Sequence, residues 1–303
     1  NHAVPIPGRT HFQRAMPSSV GLWAGAFAES LLDDIQLLQG TFRLIDQCPL
    51  GSAASYGVSI PIDRQYCTDL LGFNAVQNNV LYANNSRGKF EAAVLHALVQ
   101  IMNDLSKATT DIIIFSAPEF GYFVLPEKFC PGSSLMPQKR NPCPLEIIRA
   151  KSAVLQGLLF QNLEIVRALP SGYNRDFQET KRPVMQGLEI TGMSLRVFFQ
   201  ILSELQVDKE VCIDAFTPEL FATDQVLKLT SSGVPFRDAY KQVAKNPENV
   251  SENDPVANIL SKKHLGATGN LGLSISNAKI QDAQHWVDLE QKKWVDVLEN
   301  LRV

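Results

Sequence analysis

Long segments with helical periodicity constrain the fold of this chain more than any other feature. Between residues 87 and 116, Gly88 is the only residue that commonly breaks a helix. The apolar positions of this segment are Phe90, Val94, Leu98, Ile101, Met102, Leu105 and Ile112. Similar patterns cover residues 19–47, 145–169 and 178–206. Because a helix buries such a stripe by packing against other helices, we predict an all-α fold, built as a bundle of long helices.

The pattern changes after Asp208, where shorter helical segments alternate with loops rich in Gly, Asn and Pro. We therefore predict a central helical-bundle domain over residues 1–208 and a small helical domain over residues 209–303. The predicted helices of the second domain cover residues 222–229, 236–243 and 282–301. Pro183 should either kink the helix predicted over 178–206 or lie in its first turn. No segment shows the regular alternation that is typical of strands.

Composition excludes several classes of protein. The formal net charge is only -3 and no basic stripe is present, so we expect no nucleic acid and no membrane surface as partner. The five cysteines are odd in number and widely spaced, which is typical of reduced thiols rather than a disulfide framework or a zinc site. The apolar runs are shorter than the roughly 20 residues of a bilayer span. We therefore expect a cytoplasmic protein.

The densest group of chemically useful residues is Gly132-Ser-Ser-Leu-Met-Pro-Gln-Lys-Arg-Asn141. Gly132 is expected to adopt backbone conformations that are closed to other residues. Ser133 and Ser134 supply hydroxyls, and Lys139 supplies a charge that attracts carboxylates. Such a loop can bind an anion, although a lone Gly-Ser-Ser is also typical of a surface turn that caps a helix.

A second group surrounds a histidine, in Pro7-Gly-Arg-Thr-His-Phe-Gln-Arg14. His11 lies between prolines, which favours an irregular segment or a short turn. Taken alone, such a histidine is more often a hydrogen-bonded structural residue than a group that transfers protons. Further along the chain, Pro144 indicates the start of a helix, which places Glu146 in the first helical turn.

Gly132 to Asn141 resembles the signature Gly-Ser-Ser-x-Met-Pro-x-Lys-x-Asn of the superfamily that contains fumarases, aspartases and argininosuccinate lyases. The resemblance implies that Ser133 is the catalytic base and that Lys139 and Asn141 hold a substrate carboxylate. It also implies that His11, paired with Glu146, acts as the acid. A carboxylate beside an imidazole stabilises the protonated form, which suits a proton donor. The reverse assignment of base and acid is compatible with the same residues.

Within that superfamily the chain looks most like the argininosuccinate lyases, because of Gln138, Thr10-His11-x-Gln13 and the segment 169–181. There Gln178 and Lys181 stand three residues apart, so on a helix they would share a face. The catalytic residues implied by the resemblance are Ser133, His11, Glu146 and Lys139. The residues implied to bind substrate are Thr10, Gln13, Ser86, Arg87, Ser134, Met136, Asn141, Tyr173, Arg175, Gln178 and Lys181.

The implied reaction is the elimination of argininosuccinate to arginine and fumarate, with no cofactor and no metal. The resemblance further implies a homotetramer, in which signature segments from different subunits meet in shared sites. It also leads us to expect that the N-terminal segment of the family is absent from this chain.

Two alternatives remain at this point. Another lyase of the superfamily, such as an adenylosuccinate lyase, would share Ser133 and His11, but the segment from Tyr173 to Lys181 favours an arginine-containing substrate. A non-catalytic helical protein of the crystallin kind would keep the fold, but Lys139 and Glu146 are intact.

Overall fold

Long helices dominate the structure, a computed structural model that describes residues 2–250 and 254–301. The α-helices are α1 (Val20–Ile45), α2 (Arg64–Leu70), α3 (Val80–Asn85), α4 (Lys89–Phe115), α5 (Cys143–Val166), α6 (Lys181–Glu204), α7 (Lys209–Asp214), α8 (Ala222–Ser231), α9 (Phe236–Ala244), α10 (Pro255–Ser261) and α11 (Leu273–Asn300). The predicted all-α fold and the four predicted long helices are confirmed. Pro183 lies in the first turn of α6, where its missing N–H breaks no helical hydrogen bond.

Short strands accompany the helices. They are β1 (Pro5–Thr10), β2 (Gln13–Ser19), β3 (Gln47–Cys48), β4 (Ala75–Val76), β5 (Phe123–Val124) and β6 (Gln206–Val207). β1 pairs antiparallel with β2, β3 pairs parallel with β4, and β5 pairs antiparallel with β6.

The expectation of no regular strands is wrong for the β1–β2 hairpin. The hairpin contains prolines and a register shift between Pro7 and Arg9, so its sequence lacks the regular apolar–polar alternation that is typical of strands. The shift surrounds Gly8, where a Cβ atom would stand 2.8 Å from the carbonyl oxygen of Met16. The connecting turn uses His11 and Phe12 instead of the Asn-Gly or Asp-Gly pairs that signal a hairpin.

The final helix predicted over 282–301 is confirmed, but its predicted start at residue 282 is wrong. α11 is 28 residues long and begins at Leu273, directly after Gly272, whose φ is +65°. The glycine-rich loop therefore ends nine residues earlier than the apolar pattern indicates. Throughout the described ranges, no helix combines the length and the apolar character that a bilayer span requires.

Contacts between Cα atoms divide the chain into two compact units. Unit 1 draws on Asn1–Glu29, Asp111–Pro142 and Ile201–Ser276, and unit 2 on Ser30–Thr110, Cys143–Gln200 and Asn277–Val303. Each unit combines three separate segments of the sequence, whereas the two predicted domains are continuous segments that meet after Asp208. The two predicted domains stay a prediction.

Unit 2 contains all of α5 and most of α4 and α6, which pack against one another. Leu95, Met102 and Leu155 are fully buried there, and a Cβ atom at Gly187 would stand 2.8 Å from Leu95 Cδ2 and 3.0 Å from Leu155 Cδ1. The glycine therefore lets α6 approach both neighbouring helices closely. In unit 1, β1 packs against α7, and a small apolar core joins α8 to α9 through residues such as Phe221 and Val243.

Candidate active site

The predicted anion loop in unit 1 is closed by its own backbone. Gly132 and Arg140 form an isolated antiparallel bridge, and the Asn141 N–H donates to the carbonyl oxygen of Pro131 at 3.1 Å. Within the loop, the Lys139 N–H donates to the Met136 carbonyl oxygen, also at 3.1 Å. These bonds give the loop a defined course.

Gly132 does not do what the sequence indicates. Its φ lies outside the left-handed region, and a Cβ atom there would be 3.7 Å from its nearest neighbours, which is ordinary contact. The expectation that Gly132 adopts a conformation closed to other residues is therefore wrong. The course of the loop is set by the bridge to Arg140 rather than by an unusual backbone angle at the glycine.

Ser133 is the predicted base of this loop, and its hydroxyl oxygen accepts two backbone hydrogen bonds. Its Oγ accepts the backbone N–H groups of Leu135 at 3.2 Å and Met136 at 3.1 Å. Two donors aimed at one hydroxyl oxygen favour the build-up of negative charge on it. Ser133 is half-buried, whereas Ser134, Met136 and Lys139 are exposed, so the loop presents its polar side chains outward.

His11 lies at the tip of the β1–β2 hairpin. His11 and Phe12 have φ values of 52° and 62°, and the flanking residues Thr10 and Gln13 are paired across the hairpin. The Arg9 guanidinium donates to the Phe12 carbonyl oxygen at 3.1 Å and stacks 4.8 Å from the centre of the Phe120 ring. The predicted short turn is confirmed, and it leaves the imidazole exposed.

Glu146 lies in the first turn of α5, as the sequence predicts. The neighbouring Leu145 and Ile148 are buried, while Glu146 is exposed, because helical periodicity separates these positions. Glu146 belongs to unit 2 and His11 to unit 1. Their pairing stays a prediction.

Unit 2 brings several predicted substrate-binding residues into contact. The Arg87 guanidinium lies 5.5 Å from the centre of the Tyr173 ring and 5.1 Å from that of the Phe177 ring. The Gln178 amide donates to the Tyr173 hydroxyl at 3.4 Å, and the Lys181 ammonium donates to Gln178 Oε1 at 3.4 Å. We call Arg87, Tyr173, Phe177, Gln178 and Lys181 the cationic cluster.

Electrostatics distinguish the Tyr173 hydroxyl within this cluster. The hydrogen bond from Gln178 lowers the pKa of Tyr173, and the charges of Arg175 and Arg87 lower it further. Arg175 is exposed in the short 3-10 helix Arg175–Gln178, and Lys181 is the first residue of α6. Gln178 and Lys181 therefore meet at a junction of two helical segments rather than on one continuous helix.

Ser86 occupies a different environment from the other predicted substrate ligands. It is 1% exposed, its hydroxyl accepts the Gln77 amide at 2.7 Å and donates to the carbonyl oxygen of Ala83 at 3.4 Å. Through these bonds Ser86 stabilises the C-terminal end of α3. Substrate contact by Ser86 stays a prediction.

Residues that the sequence analysis missed hold the cluster in place. Glu91 Oε2 accepts the Gly88 N–H at 2.6 Å, and its Oε1 accepts the Thr180 hydroxyl at 3.1 Å. The Gly88 carbonyl oxygen in turn accepts the side-chain amide of Asn162, which is fully buried, at 2.8 Å. The spacing of three residues from Gly88 to Glu91 is that of a helix capping box, which is a signal in the sequence.

A metal centre is not formed by side chains of the described residues, where no group of three or more His, Cys, Asp or Glu is arranged to hold an ion. Unit 1 thus carries the Ser133 loop and the His11 turn, and unit 2 carries Glu146 and the cationic cluster.

Known proteins resemble this chain in sequence and in fold. An argininosuccinate lyase of Sorangium cellulosum is 45% identical over 269 residues, covering 89% of this chain and 62% of that protein. One from Thermotoga neapolitana is 43% identical over 241 residues, covering 80% of this chain and 61% of that protein. The chain thus spans about three fifths of the length of these relatives.

A solved structure of EDDS lyase in complex with formate matches 99% of this chain and 69% of its own, with a TM-score of 0.83 at 20% identity. This likeness concerns the fold and supports the helical architecture. The model of a family described as lyase matches residues 1–157, which is more than half of the 303 residues. The chain therefore belongs to this lyase family.

Proposed function

We propose that the protein is an argininosuccinate lyase, which cleaves argininosuccinate to arginine and fumarate. The observation that carries the proposal is the pair of backbone N–H groups aimed at Ser133 Oγ, because an elimination of this kind needs a base that tolerates negative charge. The relatives at 45% and 43% identity bear the same name, which supports the choice of substrate.

The proposed chemistry begins at the carbon next to a substrate carboxylate. Ser133 Oγ reacts as the alkoxide, which the two backbone N–H groups stabilise, and it takes a proton from that carbon to become the neutral hydroxyl. The C–H bond breaks and its electron pair moves toward the carboxylate. Lys139 and Asn141 hold that carboxylate and offset its extra charge. The electron pair then forms the C=C bond of fumarate as the C–N bond breaks, and His11, paired with Glu146, gives a proton to the leaving nitrogen.

The cationic cluster supports recognition of the amino-acid end of the substrate. Lys181 supplies a point charge, Gln178 supplies an amide, and Tyr173 supplies a hydroxyl that is already hydrogen-bonded. In the proposal, Thr10, Gln13, Ser86, Arg87, Ser134, Met136 and Arg175 complete the substrate contacts. The reaction requires no cofactor and no metal, because the base, the acid and the carboxylate ligands are all side chains.

Self-association is part of the proposal. Phe160 on α5 and Met185 and Phe199 on α6 are 66%, 68% and 71% exposed, so helices of the bundle present large apolar side chains outward. Burial of such surface stabilises an assembly by about 25 cal/mol per Å². We therefore propose a homotetramer with shared sites. We also propose that residues 209–303 form a C-terminal domain and that the protein is cytoplasmic.

The decisive experiment follows the ultraviolet absorbance of fumarate after the protein is mixed with argininosuccinate, with adenylosuccinate as the comparison. We expect turnover of argininosuccinate and negligible turnover of adenylosuccinate. Comparable rates with both compounds would favour a lyase of wider specificity. Release of fumarate from neither would favour the crystallin-like alternative.

A further inference from the structure

We propose that Arg87 and Lys89 form a pocket for a compact dianion, either phosphate or a dicarboxylate, together with part of the predicted substrate segment 169–181. The cavity has a volume of about 230 Å³ and lies wholly within unit 2. Its lining includes Asn85, Arg87, Lys89, Leu169, Ser171 and Phe177. Two of these side chains are cations, and none of the described residues that line it is a carboxylate.

Arg87 is the central group of this pocket. It is half-buried between the rings of Tyr173 and Phe177, and no described carboxylate pairs with its guanidinium. Aromatic faces compensate a cation only in part, and a partly desolvated charge without a counter-ion is costly. An anion in the pocket would supply the missing counter-charge.

The backbone beside Arg87 is fixed before any ligand arrives. The Gly88 N–H donates to Glu91 and the Gly88 carbonyl oxygen accepts from Asn162, at 2.6 Å and 2.8 Å. The φ of Gly88 is +82°, and a Cβ atom there would be 2.2 Å from Val166 Cγ1, so the turn is both left-handed and tightly packed. A cation on such a turn needs little reorganisation to bind, which favours affinity.

The remaining polar groups of the pocket offer donors, as an oxyanion requires. Lys89 is exposed, and its ammonium lies 3.5 Å from the Tyr82 hydroxyl. Asn85 Oδ1 accepts the Gly172 N–H at 2.7 Å, so the side-chain amide has only its N–H donors to offer a ligand. Ser171 is exposed and adds a hydroxyl. Guanidinium, ammonium, amide and hydroxyl together match a ligand with several charged oxygens.

Two contacts connect the cations and the amide of the pocket to Gly172 and Tyr173. Arg87 stacks on Tyr173, and Asn85 holds the backbone of Gly172. A bound dianion would engage Arg87 and Asn85 together, so its presence would change how firmly Tyr173 is held. This regulatory consequence rests on the proposed function, whereas anion binding itself does not.

The test is calorimetric titration of the full chain with inorganic phosphate at constant ionic strength in potassium chloride. We expect saturable binding with a Kd on the order of 1 mM. Lys89→Gln should weaken binding by about tenfold or more, and Arg87→Gln should weaken it further. Lys151→Gln is the matched control, because Lys151 is an exposed lysine of unit 2 outside the pocket.

Two results would overturn the pocket: no saturable binding by the unmodified chain, or equal affinities in Lys89→Gln and Lys151→Gln. If Arg87→Gln does not fold, the comparison of Lys89→Gln with Lys151→Gln still tests the pocket. Fumarate is then titrated into Lys139→Gln, in which the other predicted carboxylate ligand is weakened. Binding of fumarate that requires Lys89 identifies a dicarboxylate, and binding of phosphate alone identifies free phosphate.

The fumarate-release assay separates this inference from the proposed function. A chain that binds phosphate through Lys89 but releases no fumarate from argininosuccinate would reject the proposed function and keep the pocket. An active chain without saturable phosphate binding would reject the pocket alone.

Discussion

The Ser133 loop of unit 1 and the cationic cluster of unit 2 are held by different means. Ser133 to Asn141 is mostly exposed, and its course depends on backbone bonds and on the hydrogen bonds that Ser133 Oγ itself accepts. The cationic cluster is anchored by buried side chains, among them Phe177 at 3% exposure and Thr180 at 0%.

This difference separates two ways of building a site. An exposed loop costs little to rearrange, so it suits residues that must close around a reacting group. A cluster tied to buried side chains binds without rearrangement, so it suits recognition. Substitutions in the cluster should therefore affect stability and binding, and substitutions in the loop should affect turnover.

The largest effect on stability is expected from Gly88→Ala. The new Cβ atom would meet Val166 Cγ1 at 2.2 Å on a residue with φ of +82°, so we expect a loss of about 2–4 kcal/mol. Gly132→Ala is the control in the other region, because its nearest atoms would be 3.7 Å away, and it should change stability by less than about 0.5 kcal/mol. Urea midpoints compare the two, and equal losses would contradict the distinction between the regions.

The largest effect on turnover is expected from Ser133→Ala. Without the hydroxyl there is no oxygen for the two backbone donors to stabilise as a base, so kcat should fall by about 100-fold or more. Circular dichroism should remain unchanged, since the side chain is only half-buried. The neighbouring Ser134→Ala should lower kcat by less than about tenfold. Full activity of Ser133→Ala would exclude this serine as the base.

How much of the structure the sequence predicts depends on the range of the interactions. Apolar periodicity is a local signal, and α4 confirms it: the predicted face residues Leu98, Ile101, Met102 and Leu105 are all buried. The β1–β2 hairpin is not predicted from the sequence. Its strands pair across a turn with positive φ at His11 and Phe12, and the local propensities of these residues do not indicate such a turn.

The same contrast applies to the candidate site. The motif around Ser133 is contiguous, so the sequence reveals it. The contact of Arg87 with Tyr173 joins residues 86 positions apart, and the Glu91 bond to Thr180 joins residues 89 positions apart. The motifs indicate that the segments belong together, but only the fold shows which side chain, such as Phe177, lies against Arg87.

The buried carboxyl group of Asp34, in unit 2, should lower the free energy of unfolding at neutral pH. Asp34 is 7% exposed and its Oδ2 has no hydrogen-bond partner among the described residues. Burial, followed by the nearby Asp104, raises the pKa of Asp34 to about 6. The folded protein therefore binds this proton more tightly than the unfolded chain, so stability falls as the pH rises from about 4 to about 6.

Asp34→Asn removes that charge and keeps the shape of the side chain. We expect a gain of about 1–2 kcal/mol at about pH 8, which shrinks toward zero at about pH 4. Asp33→Asn, at the neighbouring residue of α1, is the control and should change the pH dependence less. Urea midpoints at the two pH values measure the effect. The same gain at both values would show that packing, not charge, limits stability at this position.

The smallest effect, and the most specific one, is expected from Thr180→Val. The change removes a hydroxyl that lies 3.1 Å from Glu91 Oε1 and 3.0 Å from the Phe177 carbonyl oxygen, its two acceptors, and it keeps the volume of a fully buried side chain. Glu91 would still hold Gly88, but the start of α6 at Lys181 would lose its tie to the turn that carries Arg87. Loss of one such bond costs about 1 kcal/mol, so KM for argininosuccinate should rise about fivefold while kcat stays within about twofold. Thr180→Ser keeps the hydroxyl and should behave like the unmodified protein. A fall in kcat at constant KM would mean that this contact serves the chemical step, and the division between a binding cluster and a reacting loop would fail.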